Sequence, residues 1–168
     1  INSLVPNFAA LIILSFLGGC AATGPSYQSL EQKIESNPED MARVIFFRTK
    51  ESMLYMGRDA PIDLNRKEVG ACAYGGFFYR DIQAGEHKIK TELWDMPGKC
   101  ELTLNAEAGK KYYFKVDPRS ESFSAFMLGG IVGNAIESSA KTCGGAFKLY
   151  PASEVIAKEQ MAVLKQSD

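Results

Sequence analysis

From Met41 to Asp117 the chain runs in short apolar stretches separated by turn formers, with a spacing of roughly ten residues. Ala42, Val44, Ile45, Phe46 and Phe47, with Arg43 and Arg48 among them, form a run rich in β-branched and aromatic side chains. Ile62 and Leu64 alternate with polar neighbours before a turn at Asn65, Arg66 and Lys67. Residues 77–82 lead into Gln83, Ala84, Gly85 and Glu86, where Gly85 supplies the positive φ of a tight turn. Residues 87–94 alternate polar and apolar, as a half-buried strand does, until Pro97 and Gly98 break the run. Residues 101–104 and 111–116 flank a turn at Glu107, Ala108 and Gly109, and residues 145–150 read as a last strand. This pattern predicts a mainly β protein, an antiparallel β-sandwich of Ig-like or prealbumin-like kind.

The flanks read differently. Residues 20–40 contain Gly24, Pro25, Pro38 and many polar side chains, and are expected to form a tether ending near Met41. Tyr27, Leu30 and Ile34 recur at near-helical spacing and predict one short helix within it. At the other end, Pro151 suits a first helical turn and Ser153 a cap, predicting a helix through Lys165. Val155, Ile156 and Val163 are expected to face the sheet, with Glu159 and Gln160 interrupting the stripe. The domain organisation is therefore a segment 1–19, a tether 20–40, and a sandwich domain 41–168 with a C-terminal helix.

Residues 123–136 stand apart, without a charge and with Gly129, Gly130 and Gly133 inside an apolar run. Gly129 and Gly133 have the spacing that lets helix backbones approach closely. The run is too short to span a bilayer. Either it is laid over an open face of the sandwich, or it is an exposed apolar patch that meets a partner or a membrane surface. On the second reading Phe123, Phe126, Met127, Leu128, Gly129 and Gly133 are the candidate interaction residues.

Residues 1–19 carry no charged side chain, and their apolar centre ends in Leu17, Gly18, Gly19 and Cys20, followed by Ala21 and Ala22. This resembles the lipobox of bacterial lipoproteins, in which small residues let a peptidase close around the backbone before the cysteine that receives lipid. The resemblance implies a signal peptide cleaved between Gly19 and Cys20, and a membrane anchor of acyl chains on Cys20. The chain opens at Ile1 without a Met or a basic region, which we read as a signal whose first residues lie upstream. One acyl chain holds a protein only marginally and two or more hold it stably, at roughly 0.8 kcal/mol per buried methylene. Residue 21 is Ala rather than Asp, which by resemblance to enteric-type sorting favours the outer membrane, facing the periplasm.

A net charge of −1 and a pI near 6.0 leave no basic field, so nucleic acid is not an expected partner. With Cys20 taken by lipid, Cys72, Cys100 and Cys143 remain in an oxidising compartment and allow three pairings. If strand 111–116 is central, the strands after Cys100 and after Cys143 pair on its two sides. That favours a Cys100–Cys143 bridge and leaves Cys72 as a buried thiol or an intermolecular partner. His87 is the only histidine, so no His-rich metal site is expected, and a hydrolytic triad would have to be built on it. Its position after a Gly turn favours a structural role. Asp59 with Asp63 and Asp81 with Glu86 match no calcium loop or glycosidase pair. Gly75 and Gly76 lack the strand-to-helix context of a phosphate loop. No cofactor, metal or enzymatic activity is expected.

Val69-Gly70, Gly76-Phe77-Phe78, Ala84-Gly85-Glu86-His87-Lys88-Ile89 and Ala108-Gly109-Lys110-Lys111-Tyr112-Tyr113-Phe114 together resemble a known pattern. It is that of the bacterial lipoprotein family labelled domain of unknown function 2846, with Ala84 where that family has Pro. The resemblance covers about residues 41–164 and rests on structural punctuation. It implies a small β-rich envelope domain without an assigned activity. Three functional expectations follow. The first is a lipid-anchored structural or protein-interaction module with an envelope protein partner. The second is a small-molecule or glycan binder with an aromatic-lined hollow near Tyr74, Tyr79 or Trp94. The third, and weakest, is a hydrolase with His87 beside a nucleophile and an acid.

Overall fold

The computed structural model describes residues 21–119, 136–137 and 143–167. Its strands form two five-stranded sheets. In the first, β1 (Met41–Phe47) lies between β4 (Gly76–Gln83) and β7 (Lys111–Pro118), with β9 (Phe147–Ala152) and β10 (Lys165–Gln166) at the edges. In the second the order is β3 (Lys67–Cys72), β2 (Ala60–Leu64), β5 (Gly85–Glu92), β6 (Lys99–Ala106) and β8 (Ile136–Glu137). The mainly β, two-sheet expectation holds, but the first sheet is mixed rather than antiparallel. β1 runs antiparallel to β4, Phe47 opposite Phe77, but parallel to β7, Val44 opposite Tyr112. Strand alternation does not encode which neighbour a strand takes. What the sequence does show is that β1 is apolar on both faces, as a strand covered on both sides must be.

The two sheets enclose a shared core. Val44, Phe46, Phe78, Phe114 and Val116 of the first sheet meet Ile62, Ile89, Cys100, Leu102 and Leu104 of the second. The outer face of the second sheet is polar, since Lys99, Glu101, Thr103 and Asn105 alternate with the buried residues of β6. The outer face of the first sheet is apolar and carries a third layer of two helices. α1 (Tyr27–Glu35) and α2 (Glu154–Met161) cover Ile45, Phe47, Phe77 and Tyr113 with Tyr27, Ile34, Ala157 and Met161. Both helices start on a serine cap. Ser26 accepts from the Ser29 amide and Ser153 from the Ile156 amide, each satisfying an otherwise orphaned N–H.

Four expectations are corrected here. Pro151 lies within β9, opposite Phe114, and does not open the last helix. That helix stops at Met161, and Lys165 and Gln166 form β10, parallel to β4. Its inward stripe is Ala157, Met161 and, just beyond the helix, Leu164, so Val155 and Val163 point to solvent, 77% and 84% exposed. The helix predicted between Tyr27 and Ile34 forms, and it is docked rather than free: Tyr27 and Ile34 are buried, and Ser26 and Ala21 bridge to Lys165 and Tyr74.

Cys100 and Cys143 are bonded, as expected, but by a different route. β6 does not neighbour β7; it belongs to the second sheet, so the bridge joins β6 to the segment that enters β9 of the first. Close backbone contact permits this. A side chain at Gly98 would stand 2.6 Å from the Gly144 carbonyl oxygen, and φ there is +90°. Only glycine takes both conditions. At the opposite end of the second sheet, Asn65 and Arg66 make the tight β2–β3 turn with φ of 52° and 71°, the left-handed pair that hairpins favour.

Candidate functional site

The loops at one end of the sandwich are built around Arg48. Its side chain is fully buried just past β1, and burial pushes its pKa down. Nη1 donates to the Arg58 carbonyl at 2.6 Å and Nη2 to the Tyr55 carbonyl at 2.8 Å, while the guanidinium lies 4.8 Å from the Phe147 ring centre. A buried charge needs such partners, and here the partners are the backbone of the next loop. Residues 49–59 are thereby folded over the end of the core. Tyr55 packs on Phe147, and Met53, Leu54 and Met56 are turned outward, 74%, 45% and 49% exposed.

The adjoining loop between β5 and β6 carries Trp94, 92% exposed, and Asp95, which accepts two hydrogen bonds from Arg58. A third loop, between β3 and β4, holds Tyr74, whose hydroxyl donates to the Lys50 carbonyl at 3.0 Å. The Ala22 amide in turn donates to the Tyr74 carbonyl at 3.2 Å. The protruding apolar side chains and the start of the described chain thus share one end of the fold.

Two hollows stand out among the described residues, one of them beside this end. A cleft of about 760 Å³ opens between the start of the β1–β2 loop and α2, lined by Thr49, Lys50, Glu51, Ile156, Gln160 and Val163 among others. Beside it the buried Lys115 pairs with Glu51 at 2.6 Å and with Asp117 at 3.3 Å. Lys115 holds the Glu51 carboxyl below its usual range, whereas burial raises that of Asp117. A smaller hollow of about 440 Å³ on the second sheet is lined by Arg66, Lys88, Lys90, Lys99 and Glu101. Its charges are tied across the surface, Lys90 to Asp63 and Glu92, and Lys99 to Glu101.

A further ionic cluster joins both helices to the sheet. Glu35 of α1 pairs with Lys111 of β7 and with Lys158 of α2, and Lys158 also pairs with Glu154. Burial would raise the Glu35 carboxyl, but the two lysines outweigh it and hold it below its usual value. Burial pushes the neighbouring Tyr27 hydroxyl up to about 12.

Of the residues singled out in the sequence, Gly19 and Cys20, and Phe123, Phe126, Met127, Leu128, Gly129 and Gly133, lie outside the described residues. Cys72 is a buried free thiol whose pKa burial raises. His87 lies 3.0 Å from the Asn65 side-chain nitrogen and 2.8 Å from the Gln83 carbonyl. Nδ1 accepting and Nε2 donating satisfies both, and the ring then fastens the β2–β3 turn to the β4–β5 turn. Tyr74, Tyr79 and Trp94 do not converge: Tyr79 stacks under Arg43 beside the helices, and none of the three lines either hollow. The Arg48 pin and the loop apolar residues were not singled out. Their signal was present, in an arginine at the end of an apolar strand and in Met53, Leu54 and Met56 within a polar stretch.

Among the described residues no group of three or more His, Cys, Asp or Glu could hold a metal ion, and no helix is long and apolar enough to cross a membrane. No solved structure matches the chain. A Haemophilus influenzae protein described as uncharacterized is 32% identical over 106 residues, which are 56% of this chain and 60% of that protein. The chain thus spans less than two thirds of that relative's length. Residues 38–131, which run from the entry into β1 past the end of β7 and make up more than half of the chain, match the family described as "Protein of unknown function (DUF2846)", and the chain belongs to that family.

Proposed function

We propose that this protein is lipid-anchored in the bacterial cell envelope through Cys20, at the outer membrane facing the periplasm, and acts there as a non-enzymatic structural or protein-interaction module. The observation that carries the reading is the charge-free apolar run ending in Leu17-Gly18-Gly19-Cys20. The Cys100–Cys143 bridge supports it, because disulfides persist in exported proteins and are kept reduced in the cytosol. The placement of His87 favours the module over a hydrolase, since its ring faces an amide and a carbonyl rather than a nucleophile. The sequence's candidate for contact with an envelope protein remains the apolar segment at residues 123–136.

Cell fractionation with mass analysis of the N-terminal peptide tests the anchor. Cys20 bearing acyl chains, with the protein in the outer-membrane fraction, is the expected result; a Cys20→Ser variant found unprocessed, or a natural chain with an unmodified thiol, decides for or against. In-membrane cross-linking tests the module. The natural chain is expected to capture one discrete partner that a Gly129→Leu, Gly133→Leu variant loses. An identical profile from both would remove residues 123–136 from the interface.

A further inference from the structure

We infer that the end of the sandwich carrying Met53, Leu54, Met56 and Trp94 rests on the lipid surface, so that the protein stands on its anchor in one fixed orientation. This deepens the proposed anchoring and rests on it. The first step is where the described chain begins. Ala21 pairs with Tyr74, the Ala22 amide donates to the Tyr74 carbonyl, and the Gly24 amide donates to the Gln166 carbonyl at 3.1 Å. Residues 21–24 are therefore laid on the domain, without slack between it and the lipid-bearing residue. Adjacent Cα atoms are about 3.8 Å apart, so the chain length available between the Ala21–Tyr74 pairing and a lipid on the residue before Ala21 is a single residue.

The second step is what surrounds that point. Tyr74 is bonded to Lys50, the first residues of the β1–β2 loop, and that loop presents Met53, Leu54 and Met56. Arg58 and Asp95 clamp it to the β5–β6 loop, which presents Trp94. Four large apolar side chains thus stand on two loops that hydrogen bonds and an ion pair join to Tyr74. They protrude rather than line a hollow, which suits a deformable surface more than a groove. Tryptophan, with an apolar body and one N–H, is also the residue that settles at headgroup level. The local charge is close to balanced, Arg58 with Asp95 and Glu51 with Lys115, so the contact is apolar rather than driven by a basic patch.

Trp94 is the only tryptophan, and reports on the site directly. The acylated full-length mature protein is reconstituted in vesicles of phosphatidylethanolamine and phosphatidylglycerol containing lipids brominated at graded depths. The expected result is a blue-shifted Trp94 emission, quenched most strongly by bromine nearest the headgroups and shielded from aqueous iodide. A Met53→Asp, Met56→Asp variant, altered only at exposed positions, is expected to lose most of the shift while still floating with the vesicles. An N-terminal mass showing no acyl chains overturns the anchor and the orientation together. Acylated protein with Trp94 open to iodide and untouched by bromine overturns the orientation alone. Blue-shifted emission insensitive to bromine, with copies of the chain cross-linking at these loops, would assign the end to a second copy instead.

Discussion

Arg58 and Asp95 face each other in a two-bond ion pair, Nη2 to Oδ1 at 2.7 Å and Nη1 to Oδ2 at 2.9 Å, and this pair holds the β1–β2 loop, which crosses from one sheet to the other, against the β5–β6 hairpin loop. The same Arg58 offers its carbonyl to the buried Arg48 at 2.6 Å, so one residue is both pinned from within and clamped from outside. The pair itself stands in water, where ion pairs add little to global stability but their geometry fixes a surface.

Arg58→Ala is therefore expected to leave the unfolding midpoint nearly unchanged while loosening the loops. The measurement is amide hydrogen exchange, with faster exchange confined to residues 50–59 and 93–98. A large drop in the midpoint, or no local acceleration, would show that the clamp does something else. Arg48→Met should behave in the opposite way. It takes away the donors for three loop carbonyls, and the cost falls on global stability because those carbonyls are part-buried.

The Cys100–Cys143 bridge joins the two sheets across a sequence separation of 43 residues. Closing such a loop in the unfolded chain is worth roughly 4 kcal/mol on the chain-entropy account. Cys100→Ala with Cys143→Ala is expected to lower stability by about that amount in urea unfolding, and reduction of the natural protein should reproduce the loss. A loss of a small fraction of this would mean that Gly98 and Gly145 already hold the two sheets together without the bond. Cys72, buried with its thiol pKa raised, should resist alkylation until the protein unfolds.

The strands were legible wherever one face is buried and the other is wet. β6, with Cys100, Leu102, Leu104 and Ala106 inward, is an example, and so is the Asn65-Arg66 turn. β3 was not singled out, because Lys67, Glu68 and Gly70 carry no strand signal and the strand is held by pairing with β2. β10 was missed because two residues have no periodicity at all. The inward stripe of α2 was misread because Ala157, a small side chain, faces the sheet while Val155 and Val163 face solvent. Hydrophobicity ranked those valines above the alanine; space at the sheet surface, already filled by Phe47 and Tyr113, ranked them the other way. The Cys100–Cys143 pair was reached from a wrong strand order, since proximity at a sheet end does not reveal which sheet a strand joins.

The Glu35 cluster gives the protein an acid sensitivity. Its carboxyl is held below the usual value by Lys111 and Lys158, after burial is overcome. A depressed folded pKa means that the unfolded chain binds the proton first. The stabilisation is therefore complete above the unfolded value of 4.5 and is lost as pH falls through the lower folded value. With Glu35 and Lys158 each about a third exposed, the contribution is about 1 kcal/mol after screening. Glu35→Gln should lower the urea midpoint at pH 7, with an effect that shrinks progressively as pH falls below 4.5. An equal effect throughout would show that the charge on Glu35 is not what joins the helices. Asp117 acts in the opposite sense. Burial raises its carboxyl, so its ionisation opposes folding, and that cost sets in as pH rises from its unfolded value of 3.8 through the higher folded one.

Ile34 is fully buried between α1 and the first sheet, beside Ile45 and Phe47, and decides whether residues 21–35 are a tether or part of the domain. Truncation to Ala leaves a cavity that a sheet cannot collapse to fill, and costs about 2–5 kcal/mol. It would also undo the geometry around Ala21, because Ser26 and Gly24 reach β10 only while α1 stays in place. Ile34→Ala should then lower stability by that amount and open residues 21–40 to limited proteolysis before the sandwich unfolds. A helix that was merely a tether would give a different result, with no change in stability and cleavage at the same rate in both proteins. The distinction carries to the membrane: with α1 docked, the lipid on Cys20 dictates which end of the sandwich meets the bilayer, and with α1 released the domain would tumble on some twenty residues of free chain, a flexible reach of roughly 25 Å.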